Sequence, residues 1–301
     1  MINSMSADIQ DLVEKIKDLE NQLLEKDNEL FAYRKTVTQL NGEIEKLITK
    51  VSGQLNLAQD IQKFLQPTNI PIIQGIDFST KFLAGSRFGG NYYDIFEHQD
   101  KLKISILLSS ASGFSVSSQV LSILIKMSTI REIRKGTPNE KILEMIFSEL
   151  VPVLGEKDNA SLFLGTIDKR NYQFSYSRSG SFYAYHQIHG RETLSELSET
   201  QGLMTSKFNS AFQSRQMTLN QFDRLVILTQ GIVENKNRAG VSWPETALKE
   251  SIRKAPKKGT HELRNEILFQ NEKYLDGHEM DYDVTVLVAE VKDPVIKLAT
   301  P

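Results

Sequence analysis

Metal, acid–base and nucleophilic chemistry all need clustered carboxylates, histidines or thiolates, and this chain offers few. It has no cysteine, which excludes thiolate catalysis, disulfides and zinc–cysteine sites. Its five histidines, His98, His186, His189, His261 and His278, share no ligand spacing. His186 and His189 stand three apart, but in a segment that reads as strand then turn, where that spacing does not converge well on one ion. Asp281 and Asp283 flank Tyr282, and strand alternation would send both carboxylates to the face opposite the phenol. Gly85–Gly90 is glycine-rich but lacks the lysine and spacing of a phosphate loop; it reads as the turn before Asn91. Arg253, Lys254, Lys257 and Lys258 form a short basic run around Pro256, which reads as a solvated loop, with a partner contact as the alternative.

These residues must be positioned by a chain of 301 residues, 40% hydrophobic and 25% charged, with a formal net charge of −2. That is ordinary globular composition. The charge gives no electrostatic case for nucleic acid or for an anionic membrane, so neither is expected as a partner. No apolar run reaches the roughly 18 residues a membrane helix needs. Met1–Asp8 is polar and lacks a signal-peptide core. The expected location is the cytoplasm.

Apolar residues recur at alternating spacings of three and four: Ile9, Leu12, Ile16, Leu19, Leu23, Leu30, Tyr33, Val37, Leu40, Ile44, Leu47 and Val51, with Lys26 alone breaking the seam. A spacing averaging about 3.5 keeps one stripe facing a partner helix, the coiled-coil condition. The run predicts a helix of about 65 Å. Its a positions, from Ile9 and Ile16 to Ile44 and Val51, are mostly β-branched and its d positions mostly Leu, which favours a parallel homodimer. Across such a seam Lys15 faces Glu20 and Glu29 faces Arg34. A lone helix folded onto its own domain is the alternative, but so narrow a stripe would leave most of it exposed. Residues 1–56 are therefore expected to form a dimerising coiled coil.

Residues 57–67 continue as a linker helix ending at Pro67. Alternating segments follow: Ile76, Phe78, Thr80 and Phe82 share one strand face, and Leu102, Ile104, Ile106 and Leu108 another. Residues 116–135 read as a helix with Val116, Val120, Ile123, Met127 and Ile130 on one face. Thr137-Pro138-Asn139-Glu140 reads as a capping box opening a helix that carries Ile142, Met145, Ile146 and Leu150. Strands are expected at 161–167, 172–178, 182–188, 224–229 and 284–291. Ser242–Glu245 reads as a second capping box, and 260–275 as a helix. This order is α+β, and two sheets packed face to face with helices outside would satisfy it. The domain is expected over 68–293, with a tail at 294–301.

Five segments carry a resemblance. Leu57–Pro67 fits A-x-x-I-Q-x-x-L-x-P. Gly89-Gly90-Asn91-Tyr92-Tyr93-Asp94 fits G-G-D-[FY]-Y-D. Ser109–Ser115 stands where G-D-V-S-G-H-G is expected, between an apolar strand and a helix. Asp223–Glu234 fits D-x-L-[LV]-L-Y-T-D-G-[VI]-T-E, and Tyr282–Val288 fits D-D-[IM]-T-[LV]-L-V. In this order and spacing the chain resembles the PPM-type serine/threonine protein phosphatases, in the bacterial SpoIIE-like, RsbU-type branch. The resemblance implies an α-β-β-α sandwich. In that family the Asp of G-G-D, of G-D-V-S-G-H-G, of T-D-G and the first of D-D-[IM]-T hold two Mn²⁺ or Mg²⁺ ions that activate a water. The matching positions here are Asn91, Ser110, Gln230 and Tyr282.

Mn²⁺ and Mg²⁺ are hard ions that prefer anionic oxygen, and two dications about 4 Å apart need several carboxylates to offset their repulsion. Asparagine, serine and glutamine offer neutral dipoles, and a tyrosine phenol ordinarily keeps its proton at neutral pH. Asp94, Glu234 and Asp283 are the acids remaining near these positions. The resemblance with these departures implies a pseudophosphatase with no metal cofactor, not an enzyme. It would bind a protein, either a STAS-type antagonist of a partner-switching pathway or an active paralogous phosphatase. Two alternatives stand: a Mn²⁺- or Mg²⁺-dependent phosphatase with a rebuilt site, and a coiled-coil scaffold.

Overall fold

The computed structural model describes residues 15, 17, 19, 22–44, 46, 50, 67, 70–86, 90–112, 115–156, 158–198, 201–209 and 211–292. Contacts divide the chain into two units, Met1–Asn56 and Leu57–Pro301.

In the first unit, 22–44 form a helix, α1. No proline interrupts it, and Lys26–Glu29 (2.7 Å) and Gln39–Glu43 (3.3 Å) link successive turns. Leu19, Leu23, Leu30, Tyr33, Val37, Leu40 and Ile44 are each more than half exposed. A stripe this apolar is unusual for a helix facing water alone. Ile9, Leu12, Ile16, Leu47 and Val51 lie outside the described residues, as does the linker helix through 66.

The second unit is built from two antiparallel sheets. One has the order β1 (Ile76–Leu83), β10 (Val284–Val291), β9 (Arg224–Thr229), β6 (Phe182–Gln187), β7 (Leu194–Glu196). The other runs β2 (Gly90–Glu97), β3 (Lys103–Ser112), β4 (Asn159–Asp168), β5 (Gln173–Ser179), β8 (Arg215–Thr218). Alternation decides what each strand buries. In β3, Ile104, Ile106 and Leu108 enter the core between the sheets, while Leu107 and Ala111 face α2 (Ser115–Arg134) and α3 (Asn139–Leu150). In β10, Leu287, Ala289 and Val291 point between the sheets. Its Val284, Val286 and Val288 meet α5 (Glu245–Lys254) and α6 (Thr260–Leu275). Helix–sheet–sheet–helix layering follows, as expected from the order of elements.

Three local expectations fail. The buried residues of α2 include Leu121, Ile125 and Ile133, whereas Val120 is 48% and Met127 69% exposed. This helix is apolar on two sides, so periodicity alone could not choose the inner one. In α3, Leu143 is buried and Met145 half-exposed for a similar reason. Neither capping box forms. Thr137 gives its hydroxyl to Glu132 Oε2 (3.1 Å), and Glu245 accepts from Tyr185 (2.9 Å), so Pro138 and Pro244 open their helices without a side-chain cap.

Candidate functional site

Four strand ends bring the motif residues to one edge of the inter-sheet core. Asn91 lies opposite Ser110 in the β2–β3 ladder, and both share the face of Tyr93 and Leu108, which enter that core. Strand β9 ends in Thr229, followed by Gln230 and the single-turn α4 (Gly231–Glu234). Tyr282 and Asp283 lead into β10. The Asn91 amide joins these elements: Nδ2 donates to Thr229 Oγ1 (3.2 Å), the Asp283 carbonyl (3.3 Å) and Thr285 Oγ1 (3.4 Å). Its side chain is buried, and so are both threonines. The structure therefore gathers Asn91, Gln230 and Tyr282 through their immediate neighbours, with Ser110 paired to Asn91.

The backbone here is packed too closely for side chains at two points. A Cβ on Gly231 would stand 2.1 Å from the Asp283 carbonyl, and one on Gly85 would stand 2.5 Å from the Tyr282 carbonyl carbon. Gly85 is thus needed for close approach, beyond its reading as part of a turn. Asn235, fully buried, holds the same loop with both ends of its amide: Nδ2 donates to the Tyr282 carbonyl (3.0 Å) and Oδ1 accepts from the Tyr282 N–H (2.8 Å).

The acids named from sequence are placed differently from one another. Asp94 accepts from the Tyr92 hydroxyl (2.6 Å), and Tyr92 belongs to the cluster beneath α2 and α3. The Asp94 carboxylate therefore lies on the opposite face of β2 from Asn91, which corrects its assignment to the pocket. Asp283 turns its carboxylate to the Gly85 N–H (2.9 Å) and presents its carbonyl to Asn91 (3.3 Å). Glu234 stays beside the pocket, where Oε1 accepts from Gln230 Nε2 (2.5 Å), and burial pushes its carboxyl above the usual carboxylate range. Among the described residues, no group of three or more His, Asp or Glu side chains is arranged to hold a metal ion. The donors at Asn91, Ser110, Gln230 and Tyr282 do not fit a pair of hard dications: an amide N–H₂ points where an anionic ligand is required. A cavity of about 730 Å³ opens beyond Gly85, walled by Leu83, Leu268, Leu275 and Met280, and none of the four positions lines it.

Thr229, Thr285 and Asn235 went unnoticed as site residues in the sequence, although Thr229 and Thr285 sit inside the quoted motifs. Their hydroxyls could be assigned only once β9 and β10 were paired.

The layering and this convergence of strand ends define a PPM-type phosphatase domain. The family profile described as Stage II sporulation protein E (SpoIIE) matches residues 100–292, and the chain belongs to that family. Solved structures share the fold. The SiaA-PP2C domain of Pseudomonas aeruginosa superposes with a TM-score of 0.65 at 16% identity, over 80% of this chain and 97% of that one. The RsbU and RsbW domains of Rv1364c from Mycobacterium tuberculosis give 0.62 at 19%, over 78% of this chain and 65% of that one. The phosphatase domain and regulatory fragment of SpoIIE from Bacillus subtilis give 0.59 at 14%, over 72% and 64%. A sequence search of curated proteins gives no match. Among the described residues, no helix is long and apolar enough to cross a membrane.

Proposed function

We propose that this chain is a pseudophosphatase: a regulatory protein-binding module on a PPM-type fold, paired through a parallel coiled coil over residues 1–56. The observation that carries this reading is the Asn91 amide, which donates to Thr229, Thr285 and the Asp283 carbonyl. A neutral donor thus stands where the family's first metal-binding carboxylate would offer an anionic oxygen. The domain then needs no metal, and a phosphorylated serine finds no activated water. The bound protein would be a STAS-type antagonist of a partner-switching pathway or an active paralogous phosphatase. Pairing is supported by the exposed stripe from Leu19 to Ile44. Neither nucleic acid nor membrane enters this account, and a cytoplasmic setting suits it.

The alternative enzyme, a phosphatase with a rebuilt Mn²⁺ or Mg²⁺ site, rests on Glu234, an acid that accepts from Gln230. A phosphoserine-protein assay at saturating Mn²⁺ separates the two readings. The proposal expects no turnover above background. Turnover that requires Mn²⁺ and disappears in Glu234→Gln would establish the alternative. A scaffold acting through the coiled coil alone predicts that a chain lacking residues 1–55 loses all partner affinity, whereas the proposal predicts that such a chain retains part of it.

A further inference from the structure

The far end of the first sheet has the opposite electrostatics. Arg224 begins β9, opposite Gln187 of β6 and Glu290 of β10, and is 2% exposed. Its Nε donates to Gln187 Oε1 (2.9 Å), and its Nη1 donates to the carbonyls of Pro256 (2.7 Å) and Gly259 (3.3 Å). All three acceptors are neutral. Glu290, the acid across the ladder, is already engaged by Lys292 (2.7 Å) and the Gly259 N–H (2.7 Å). Among the described residues no carboxylate forms an ion pair with Arg224, and its Nη2 donates no hydrogen bond. Arg224 thus hydrogen-bonds only neutral groups, Glu290 and Glu262 act on its charge without forming an ion pair with it, and its Nη2 donors remain for a further acceptor.

Arg224 lines a pocket of about 80 Å³ together with Arg191, Phe222, Arg253 and Lys257. The turn after β6 forms one wall and the end of α5 the other. Arg253 ties them by donating from Nε to the Glu192 carbonyl (3.1 Å). Lys258 adds a further positive charge at the Phe222 ring, 3.9 Å from its centroid. Glu192 is the single acid in the lining. Two residues of the basic run, Arg253 and Lys257, are therefore exposed as that run was expected to be and also line one side of a concave site whose floor is a buried arginine.

We propose that this pocket binds a phosphate group, with Arg224 at the floor and Arg253 and Lys257 at the rim. The volume suits one small oxyanion. A phosphate monoester carries nearly two charges and three strong acceptor oxygens, which matches donors converging from the floor and both walls better than a carboxylate does. The site stands about 17 Å along β9 from Thr229, so it is separate from the Asn91 pocket and needs no metal. The phosphate has two possible sources, a free small anion or a phosphoserine on a partner protein.

The test titrates the full chain by calorimetry with inorganic phosphate and, separately, with a phosphoserine peptide. Saturable binding is expected, weakened at least tenfold in Lys257→Glu, whose exposed side chain leaves the melting temperature unchanged, and in Arg253→Glu, which also loses the bond to the Glu192 carbonyl. Arg224→Met is expected to weaken it further. A peptide that binds at least tenfold tighter than inorganic phosphate assigns the group to a partner protein; equal or weaker binding assigns it to a free anion. No saturation by either probe up to about 10 mM, or binding undiminished in both rim variants, overturns the proposal. These readings hold even if Arg224→Met fails to fold.

Discussion

The two ends of β9 show opposite treatments of charge in one fold. At its start, Asp223 and Arg224 are both buried. Asp223 accepts from His186 Nε2 (3.0 Å), the His189 N–H (2.8 Å) and the Asn220 N–H (2.9 Å). At its end, Asn91 donates to two hydroxyls and a carbonyl, and the one buried carboxylate named beside it, that of Asp283, accepts from the Gly85 N–H. A domain that keeps ionised side chains buried at one end has no general need to avoid them at the other. The neutral chemistry around Asn91 is thus particular to that pocket. Clustered carboxylates facing one another would repel without a cation between them. Asn91 meets the same oxygens with a donor.

The comparison can be broken from either end, beginning with the larger effect. Asp223→Ala removes the acceptor of four hydrogen bonds inside the fold and should cost about 3 kcal/mol or more, read by urea denaturation. A loss under about 0.5 kcal/mol would mean that this end tolerates its charges without depending on them. Asn91→Asp replaces a donor with an acceptor opposite the Asp283 carbonyl and should cost roughly 1–3 kcal/mol, with Mn²⁺ failing to restore the loss. An increase in stability would contradict the role given to the Asn91 amide.

Titration gives smaller effects. His98 is buried against Ser105 (2.8 Å), and burial lowers its pKa, with Lys103 acting in the same direction and Asp100 against it. A depressed folded pKa means that its contribution is present above the unfolded value of about 6.5 and is lost as pH falls through the folded one. The domain should lose melting temperature below about pH 6.5, and His98→Gln should flatten that slope. Glu234 has the reverse sign. Burial raises its folded pKa, so stability is greatest below its unfolded value and declines as pH rises through the folded one. Glu234→Gln, which keeps an acceptor for Gln230, should raise the melting temperature slightly at neutral pH; a fall would mean that the carboxylate is needed in its charged form.

Much of the architecture could be read before any coordinates. Strands such as 224–229 and 284–291 announce themselves because, apart from Arg224 and Glu290, every residue is apolar or small and both faces are buried. The motif order placed Asn91, Gln230 and Tyr282 together. The displaced Asp94 was legible as well: three residues from Asn91 on a strand, it must face the other side. The inner face of α2 was not legible, because its sequence carries two apolar stripes and only the sheet beneath selects between them. The capping boxes failed because Thr137 turns back to Glu132, five residues before it, and Glu245 meets Tyr185, a distant partner that local sequence does not encode. The basic pocket was half visible in Arg253 and Lys257 of the basic run. Its floor, Arg224, was hidden inside a motif read for its strand.

The most direct test of the central claim is a calorimetric titration of the full chain with Mn²⁺, beside an active PPM phosphatase as control. The account predicts no saturable binding up to millimolar Mn²⁺, while the control binds. Saturable uptake of two ions per domain would contradict it and place a rebuilt metal site on this fold.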